Sequence, residues 1–367
     1  MMESILQFGV GRFLRAFADF FAHEAAASGH PVGRIVAVQS TAGDRAGGLA
    51  RQGYRYHVAV RGMTHGKPVD DVVEVASIAR GLRAEGEWPA VLELARSKDL
   101  KMILSNATEA GYELFPEDAP DDVPPKAFPA KLVRVLKERF DAGLPGLTIL
   151  PCELFERNAE RLLTLAAGQA AAWNLEPDFV DWMKRDCRWL SSLVDRIVSG
   201  TPASHPLLER DPMLIAAEPF ALWAIEDDGT APGLFPHPSI EIVKDVGPYH
   251  LRKVRILNGA HTALVCKAVP LGFTTVRAAV TDPALAEWLH GLIFEEIVPV
   301  IADRAPGAEA FAEHVLDRFR NPFLEHKLAD IAVHHAEKVK VRLLPTIAEH
   351  EAKFGRTPAR LGALMAS

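Results

Sequence analysis

Residues Ser4–Phe8 form a short apolar run that ends in Gly9-Val10-Gly11 and passes directly into the amphipathic stretch Arg12–Ala27. A strand, a glycine turn and a helix in that order constrain the fold more than any other feature of the chain. Ser28-Gly29 closes the helix and Arg34–Gln39 supplies a second apolar strand, so the segment predicts a βαβ unit. Gly9 permits the tight turn. Gly11 lets a pyrophosphate approach the backbone, and the first N–H groups of the helix face the anion. Leu14 stands where a third glycine would allow the closest helix–strand packing.

The acidic residue that binds an adenosine ribose is absent from the end of the second strand, where Gln39 is followed by Ser40, Thr41 and Arg45. A neutral glutamine can bond a 2′-hydroxyl and does not repel a 2′-phosphate, so these residues leave NADP open. Arg45 either attracts that phosphate or simply faces solvent. Lys101–Leu104 and Leu147–Leu150 read as further core strands. Asn106 and Thr108 follow the first of them at the carboxyl edge of the sheet, where they either contact the cofactor or cap the loop. Pro151-Cys152-Glu153 ends the next strand, and Asn158 is either a ligand or a helix N-cap.

Beyond residue 155 the pattern is helical, with Asn158–Ala172, Pro177–Val198, Pro212–Ile225, Lys253–Leu271 and Pro283–Ile301 carrying apolar residues three and four apart, and one extended piece at Ile240–Val243. The expected fold is an α/β Rossmann-like domain with a parallel-rich sheet over residues 1–198, and a mostly α-helical domain over residues 199–367. A length of 367 residues suits two such domains.

Lys253, Asn258 and His261 share one stretch of predicted helix. On a regular α-helix Asn258 lies about 140° and His261 about 80° round from Lys253, so all three can border one cleft. A lysine in a desolvated cleft can exchange a proton near neutral pH. Asn258 can donate to an oxygen that develops charge, and His261 can orient the substrate or the lysine. The set suits carbonyl reduction beside a dinucleotide fold.

A formal charge of −7 argues against binding through nucleic-acid phosphates or anionic lipid, leaving a small-molecule ligand. Cys152, Cys187 and Cys266 are far apart and odd in number, so no metal knuckle or disulfide framework is read and a cytoplasmic setting is expected. No run suits a signal peptide or a membrane span. Oligomeric state is not legible.

The blocks GVGRFLRA from Gly9, SNATEAG from Ser105, PCEL from Pro151, LVDRI from Leu193, the Lys-x4-Asn-x2-His segment and RFRNP from Arg318 resemble the long-chain mannitol dehydrogenase family, most of all its tagaturonate-reducing branch. The resemblance runs from residue 5 to about residue 345. It implies a zinc-independent, NAD-dependent oxidoreductase with its active site between a Rossmann and a helical domain. Lys253 would be the general acid/base, with Asn258 and His261 polarising and positioning the carbonyl. It extends the cofactor site to Arg12 and Phe13. It also makes Asn158 a candidate second oxyanion donor, and Arg196 and Arg318 either grips for a hexuronate carboxylate or partners in salt bridges. Fructuronate, mannitol or another polyol are the alternative substrates, and a non-catalytic NAD-binding regulator is the alternative of a different class.

Overall fold

The computed structural model describes residues 2–365. Its thirteen strands are β1 (Glu3–Phe8), β2 (Arg34–Gln39), β3 (Tyr56–Thr64), β4 (Lys67–Val75), β5 (Ile78–Arg83), β6 (Met102–Ser105), β7 (Thr148–Pro151), β8 (Arg188–Trp189), β9 (Ser192–Asp195), β10 (Val198–Gly200), β11 (Ile215–Ala217), β12 (Leu222–Glu226) and β13 (Ile240–Val243). Six of them form a wholly parallel sheet in the order β5-β2-β1-β6-β7-β8. Counted within the sheet this is the doubly wound order 3-2-1-4-5-6, which reverses between β1 and β6. Ile5, Leu6, Val36, Val38, Ile103, Leu104, Ile149 and Leu150 are all buried, as strands covered by helices on both faces require. The register sets Phe8 level with Val38 and Ser105, so the loops leaving β1, β2 and β6 emerge together.

Two smaller sheets follow the orders β10-β11-β3-β4 and β13-β12-β9. They correct the expectation that Ile240–Val243 is the one extended piece beyond residue 155. Pro212–Ile225 contains β11 and β12 rather than a helix, and Pro177–Val198 is helical only to Arg185 before entering β8 and β9. The buried runs Leu214–Ala217 and Leu222–Ile225 mimic helical spacing at three and four residues, yet both are enclosed on every side, as central strands are. Ile240–Val243 is extended as expected and pairs parallel with β12.

The chain divides into two units. The first holds residues up to Ala59, Val72–Ala217 and Ala221–Val246; the second holds Val60–Asp71, Glu218–Phe220 and everything from Gly247 onward. The division therefore falls at Val246/Gly247 rather than near residue 198, because β10–β13 complete sheets of the first unit. In the first unit Leu6, Val36, Ile103 and Ile149 pack with Trp88, Leu132, Leu162 and Phe179. In the second, Ile256, Leu264, Leu289, Ile301, Phe311 and Val315 build a separate helical core. Among the described residues no helix is long and apolar enough to cross a membrane.

Candidate functional site: a glycine turn and a lysine–asparagine–histidine segment

The turn after β1 has the conformation its glycines predict. Gly9 sits at φ +129°, where a side chain would be strained, and a Cβ there would lie 3.2 Å from Leu14 Cδ1 and 3.7 Å from the carbonyl of Asn106. Its N–H donates to Val38 O at 2.9 Å, and Gln7 Nε2 donates to Gly9 O at 2.9 Å. Gly11 differs, since a Cβ there would meet nothing within 4 Å. Open backbone at Gly11, next to the point where the strand order reverses, fits a dinucleotide pyrophosphate. Leu14, buried in the third-glycine position, fills the helix–strand contact with its own side chain. Arg12 is exposed beside Gly200, and Phe13 stacks on Phe17 with centroids 4.8 Å apart.

The expected helix Arg12–Ala27 is broken into Arg12–Arg15 and Ala18–Ala27, with Phe17 at φ −133° and ψ −96°. Carbonyls freed at the break are met by side chains: Tyr56 OH donates to Arg15 O at 2.8 Å and Arg196 Nη1 donates to Ala16 O at 2.7 Å. Arg196 is buried and its guanidinium lies 4.7 Å from the Phe20 ring centroid, so it splints this break within the first unit. Asp19 lies beneath the same turn. Burial raises its pKa to about 7, against the opposing pull of Gln7 and Arg15.

Gln39 is hydrogen-bonded within its own loop. Its Nε2 donates to Thr41 O and Gly43 O, both at 2.8 Å, and its Oε1 accepts Ala46 N–H at 2.8 Å. With both ends of the amide engaged, Gln39 shapes the loop, and the exposed Ser40, Asp44 and Arg45 are what that loop presents. At the β6 edge, Asn106 Nδ2 donates to Cys152 O at 2.8 Å, and Thr108 is exposed. Glu153, given no role in the sequence reading, is the residue that holds this edge: it accepts Ala107 N–H at 2.8 Å and Ser105 Oγ–H at 3.2 Å. Its place immediately after a core strand is the signal that could have marked it. Burial raises its pKa. Asn158 is fully buried, and its Nδ2 donates to Pro151, Glu153 and Ser192 carbonyls at 3.0–3.1 Å. Neither an N-cap nor an oxyanion donor, it ties β7 to β9.

In the second unit Lys253–Asn258 forms a π-helical segment that runs into the α-helix Gly259–Ala268, correcting the expected uninterrupted helix. Backbone bonded i→i+5 turns by roughly 80° per residue, so Asn258 falls about 40° from Lys253 and His261 returns to within about 20° of it. The three side chains thus share one face more closely than a regular helix allows, and such π-segments recur at functional sites. Lys253 and Asn258 are half-buried. His261 is buried, with its ring 4.2 Å from Phe319 and 4.8 Å, edge to face, from His326. Burial first, then the charges of His326, Arg318, Arg342 and Lys338, hold its pKa well below the usual imidazole range. It is a neutral ring at pH 7. Its Nε2 is buried without a hydrogen-bond partner, as a group awaiting a ligand would be.

Arg318 is also buried, but its Nε and Nη2 grip both oxygens of Glu218 at 3.0 and 2.9 Å. That fork is unavailable to a substrate carboxylate. Among the described residues no group of three or more His, Cys, Asp or Glu could hold a metal ion.

A doubly wound sheet with an open glycine turn, together with a helical unit that presents a lysine, an asparagine and a neutral histidine on one face, defines a nucleotide-dependent dehydrogenase acting on CH–OH groups. Residues 3–234 match the mannitol dehydrogenase Rossmann domain and residues 245–367 the mannitol dehydrogenase C-terminal domain. The chain belongs to the mannitol dehydrogenase family. It is 36% identical to the altronate oxidoreductase of Bacillus subtilis (strain 168) over 373 residues, covering 98% of this chain and 77% of that one. It is 37% identical to that of Halalkalibacterium halodurans over 375 residues, covering 98% and 73%. Its fold is shared with D-sorbitol dehydrogenase (TM-score 0.88, 24% identity, 100% of this chain and 79% of that chain). It is shared too with Pseudomonas fluorescens mannitol 2-dehydrogenase, solved with NAD and D-mannitol (TM-score 0.80, 24% identity, 100% and 78%).

Proposed function

We propose that the protein is an NAD-dependent oxidoreductase that interconverts tagaturonate and altronate, a keto-hexuronate and its aldonate. The observation that carries the chemistry is His261, a buried neutral imidazole with an unpartnered Nε2 on the same helical face as Lys253 and Asn258. The substrate assignment draws on relatives named altronate oxidoreductase that align with 98% of the chain.

NAD, when bound, supplies the hydride-transfer chemistry. Gly9 and Gly11 would hold its pyrophosphate, and the loops of Ser40 and of Asn106–Thr108 would flank it. In the direction of carbonyl reduction, charge grows on the substrate oxygen. Asn258 stabilises that charge with an amide N–H, and Lys253 delivers the proton that makes the alcohol; in the reverse direction Lys253 removes it. His261 hydrogen-bonds the substrate through Nε2. Because the ring is neutral, it orients a hydroxyl or carbonyl without competing for the proton carried by Lys253. The three cysteines are not disulfide-bonded, which accords with the cytoplasmic setting included in this reading.

The test is a substrate panel. Purified protein is assayed by NADH absorbance with tagaturonate, fructuronate, fructose and mannitol. The highest kcat/KM is expected for tagaturonate; preference for an uncharged sugar overturns the uronate assignment, and NADH binding without turnover of any substrate overturns the enzymatic one.

A further inference from the structure

The helix His335–Arg342 packs against both the π-segment and the helix Gly259–Ala268. Two side-chain contacts define its seat: Cys266 Sγ lies 3.1 Å from His335 Nε2, and Arg342 Nη1 donates to Thr262 Oγ1 at 3.2 Å. Thr262 Oγ1 donates in turn to Asn258 O at 2.9 Å. The guanidinium of Arg342 is therefore two hydrogen bonds from the backbone of the residue assigned to the developing alkoxide.

Among the described residues Arg342, which is half-buried, lacks the carboxylate partner that four other arginines of this unit have. Arg318 is bound to Glu218, Arg255 and Arg304 to Glu349, and Arg360 to Glu295. Arg342 is half-buried and bonded to a neutral hydroxyl, and among the described residues no carboxylate pairs with it. One turn earlier on the same face, Lys338 Nζ donates to the carbonyl of Ile331 at 2.8 Å and likewise has no acidic partner among the described residues. The cationic groups that act on His261 at neutral pH are Arg318, Arg342 and Lys338. A partly desolvated guanidinium without a counter-ion is an unfavourable arrangement that an anion relieves, and a carboxylate matches its planar fork through two bonds. A neutral ketose offers no such group.

We propose that Arg342, with Lys338 one turn before it, is the specificity-determining contact for the carboxylate of an acidic sugar, and so selects a keto-hexuronate over an uncharged ketose. The inference rests on the proposed sugar-acid reading and names the residues that produce it.

The experiment compares wild type with Arg342→Gln, Arg342→Lys and Lys338→Gln, using tagaturonate and tagatose, which lacks the carboxylate. Arg342→Gln is expected to lower the ratio of kcat/KM for tagaturonate to that for tagatose about 30-fold, mainly through KM, which is about 2 kcal/mol of selective binding. Arg342→Lys should restore part of the ratio, and Lys338→Gln should lower it several-fold. Product inhibition of tagatose reduction by altronate gives a parallel readout, with Ki weakened about 30-fold in Arg342→Gln. Equal losses on both sugars, or an unchanged ratio in a wild type that prefers tagaturonate, overturn the inference while the function stands. A wild type that prefers tagatose overturns both. If Arg342→Gln fails to fold, the Arg342→Lys and Lys338→Gln ratios decide, and an unchanged ratio in both is again a refutation.

Discussion

Asn158 and Ser192 are locked in a reciprocal pair: Asn158 Oδ1 accepts Ser192 N–H at 3.0 Å, and Asn158 Nδ2 donates to Ser192 O at 3.0 Å. The same amide reaches the carbonyls of Pro151 and Glu153, so one side chain fastens β7, β9 and the loop between β7 and the helix Asn158–Ala172. Asn158→Ala leaves several buried backbone groups without partners. We expect a loss of about 3 kcal/mol, seen as a Tm lower by roughly 6–12 °C, with kcat of the folded protein changed less than about threefold. A large fall in kcat at unchanged Tm would instead return Asn158 to the oxyanion role.

His261 makes stability depend on pH with a definite sign. An unfolded histidine titrates near 6.5, while the folded ring stays neutral to well below that value. Above about pH 6.5 both states are neutral and the contribution is complete. As the pH falls through the unfolded pKa, the unfolded chain takes up a proton that the folded chain refuses, and stability declines by up to about 1.4 kcal/mol per pH unit until the folded pKa is reached. His314 and His326 are shifted in the same direction by burial and add to the acid limb. Denaturant titrations between pH 7 and pH 5 should show this slope, and His261→Gln should make it shallower; an identical slope in the variant would refute a neutral buried His261.

The parts of this fold legible in the sequence were those encoded locally. β2, β6 and β7 carry uninterrupted apolar runs bounded by polar, glycine or proline residues, β1 carries one broken only by Gln7, and burial on both faces demands such a composition. β4, KPVDDVVEV, is largely exposed and carries no such run. β9 and β12 pair across roughly thirty residues, so their strand state depends on a partner that local spacing does not reveal. Lys253, Asn258 and His261 were read onto one regular helix, and the π-helical geometry of that segment was not legible, because KVRILN has the same apolar periodicity whether its backbone bonds span four residues or five. Gln39 and Asn158 were chemically plausible ligands, and only the hydrogen bonds that close on their amides show them to be structural.

The two glycines of the turn separate folding from binding. Gly9→Ala places a Cβ at φ +129° and 3.2 Å from Leu14, and should cost about 1–3 kcal/mol of stability. Gly11→Ala meets no protein atom within 4 Å and has an ordinary φ of −69°, so its Tm should stay close to wild type. The methyl group occupies the space assigned to the pyrophosphate, and KM for NADH should rise at least about tenfold. Unchanged KM in Gly11→Ala, by steady-state kinetics or NADH fluorescence titration, would move the cofactor away from this turn.

Lys253 and Asn258 should separate proton transfer from charge stabilisation. Lys253→Ala is expected to lower kcat by about 10²–10⁴ and to abolish any pH limb that belongs to the lysine, with NADH affinity retained. Asn258→Ala should lower kcat by about 10²–10³ without altering the shape of the pH profile. A pH profile left intact by Lys253→Ala would assign the proton transfer to another group.

We expect the loop after β2 to set the choice between NAD and NADP through charge rather than through Gln39. A cleft of about 360 Å³ lies there, lined by residues that include Asp44, Arg45 and Arg51. Asp44 bonds Arg51 at 2.8 Å and also Arg83, and these two arginines, Arg51 foremost, hold its carboxyl below the usual range, so it is ionised throughout the neutral region. An ionised Asp44 repels a 2′-phosphate, whereas Arg45 attracts one. With the carboxylate present, NADH should be preferred, with kcat/KM for NADPH lower by a factor of several. Asp44→Asn should narrow the gap by improving NADPH, and Arg45→Ala should widen it by weakening NADPH alone. Competition of the two nucleotides in steady-state kinetics reads both changes. A wild-type preference for NADPH would refute the NAD assignment, and an Asp44→Asn variant with an unaltered ratio would remove Asp44 as its cause.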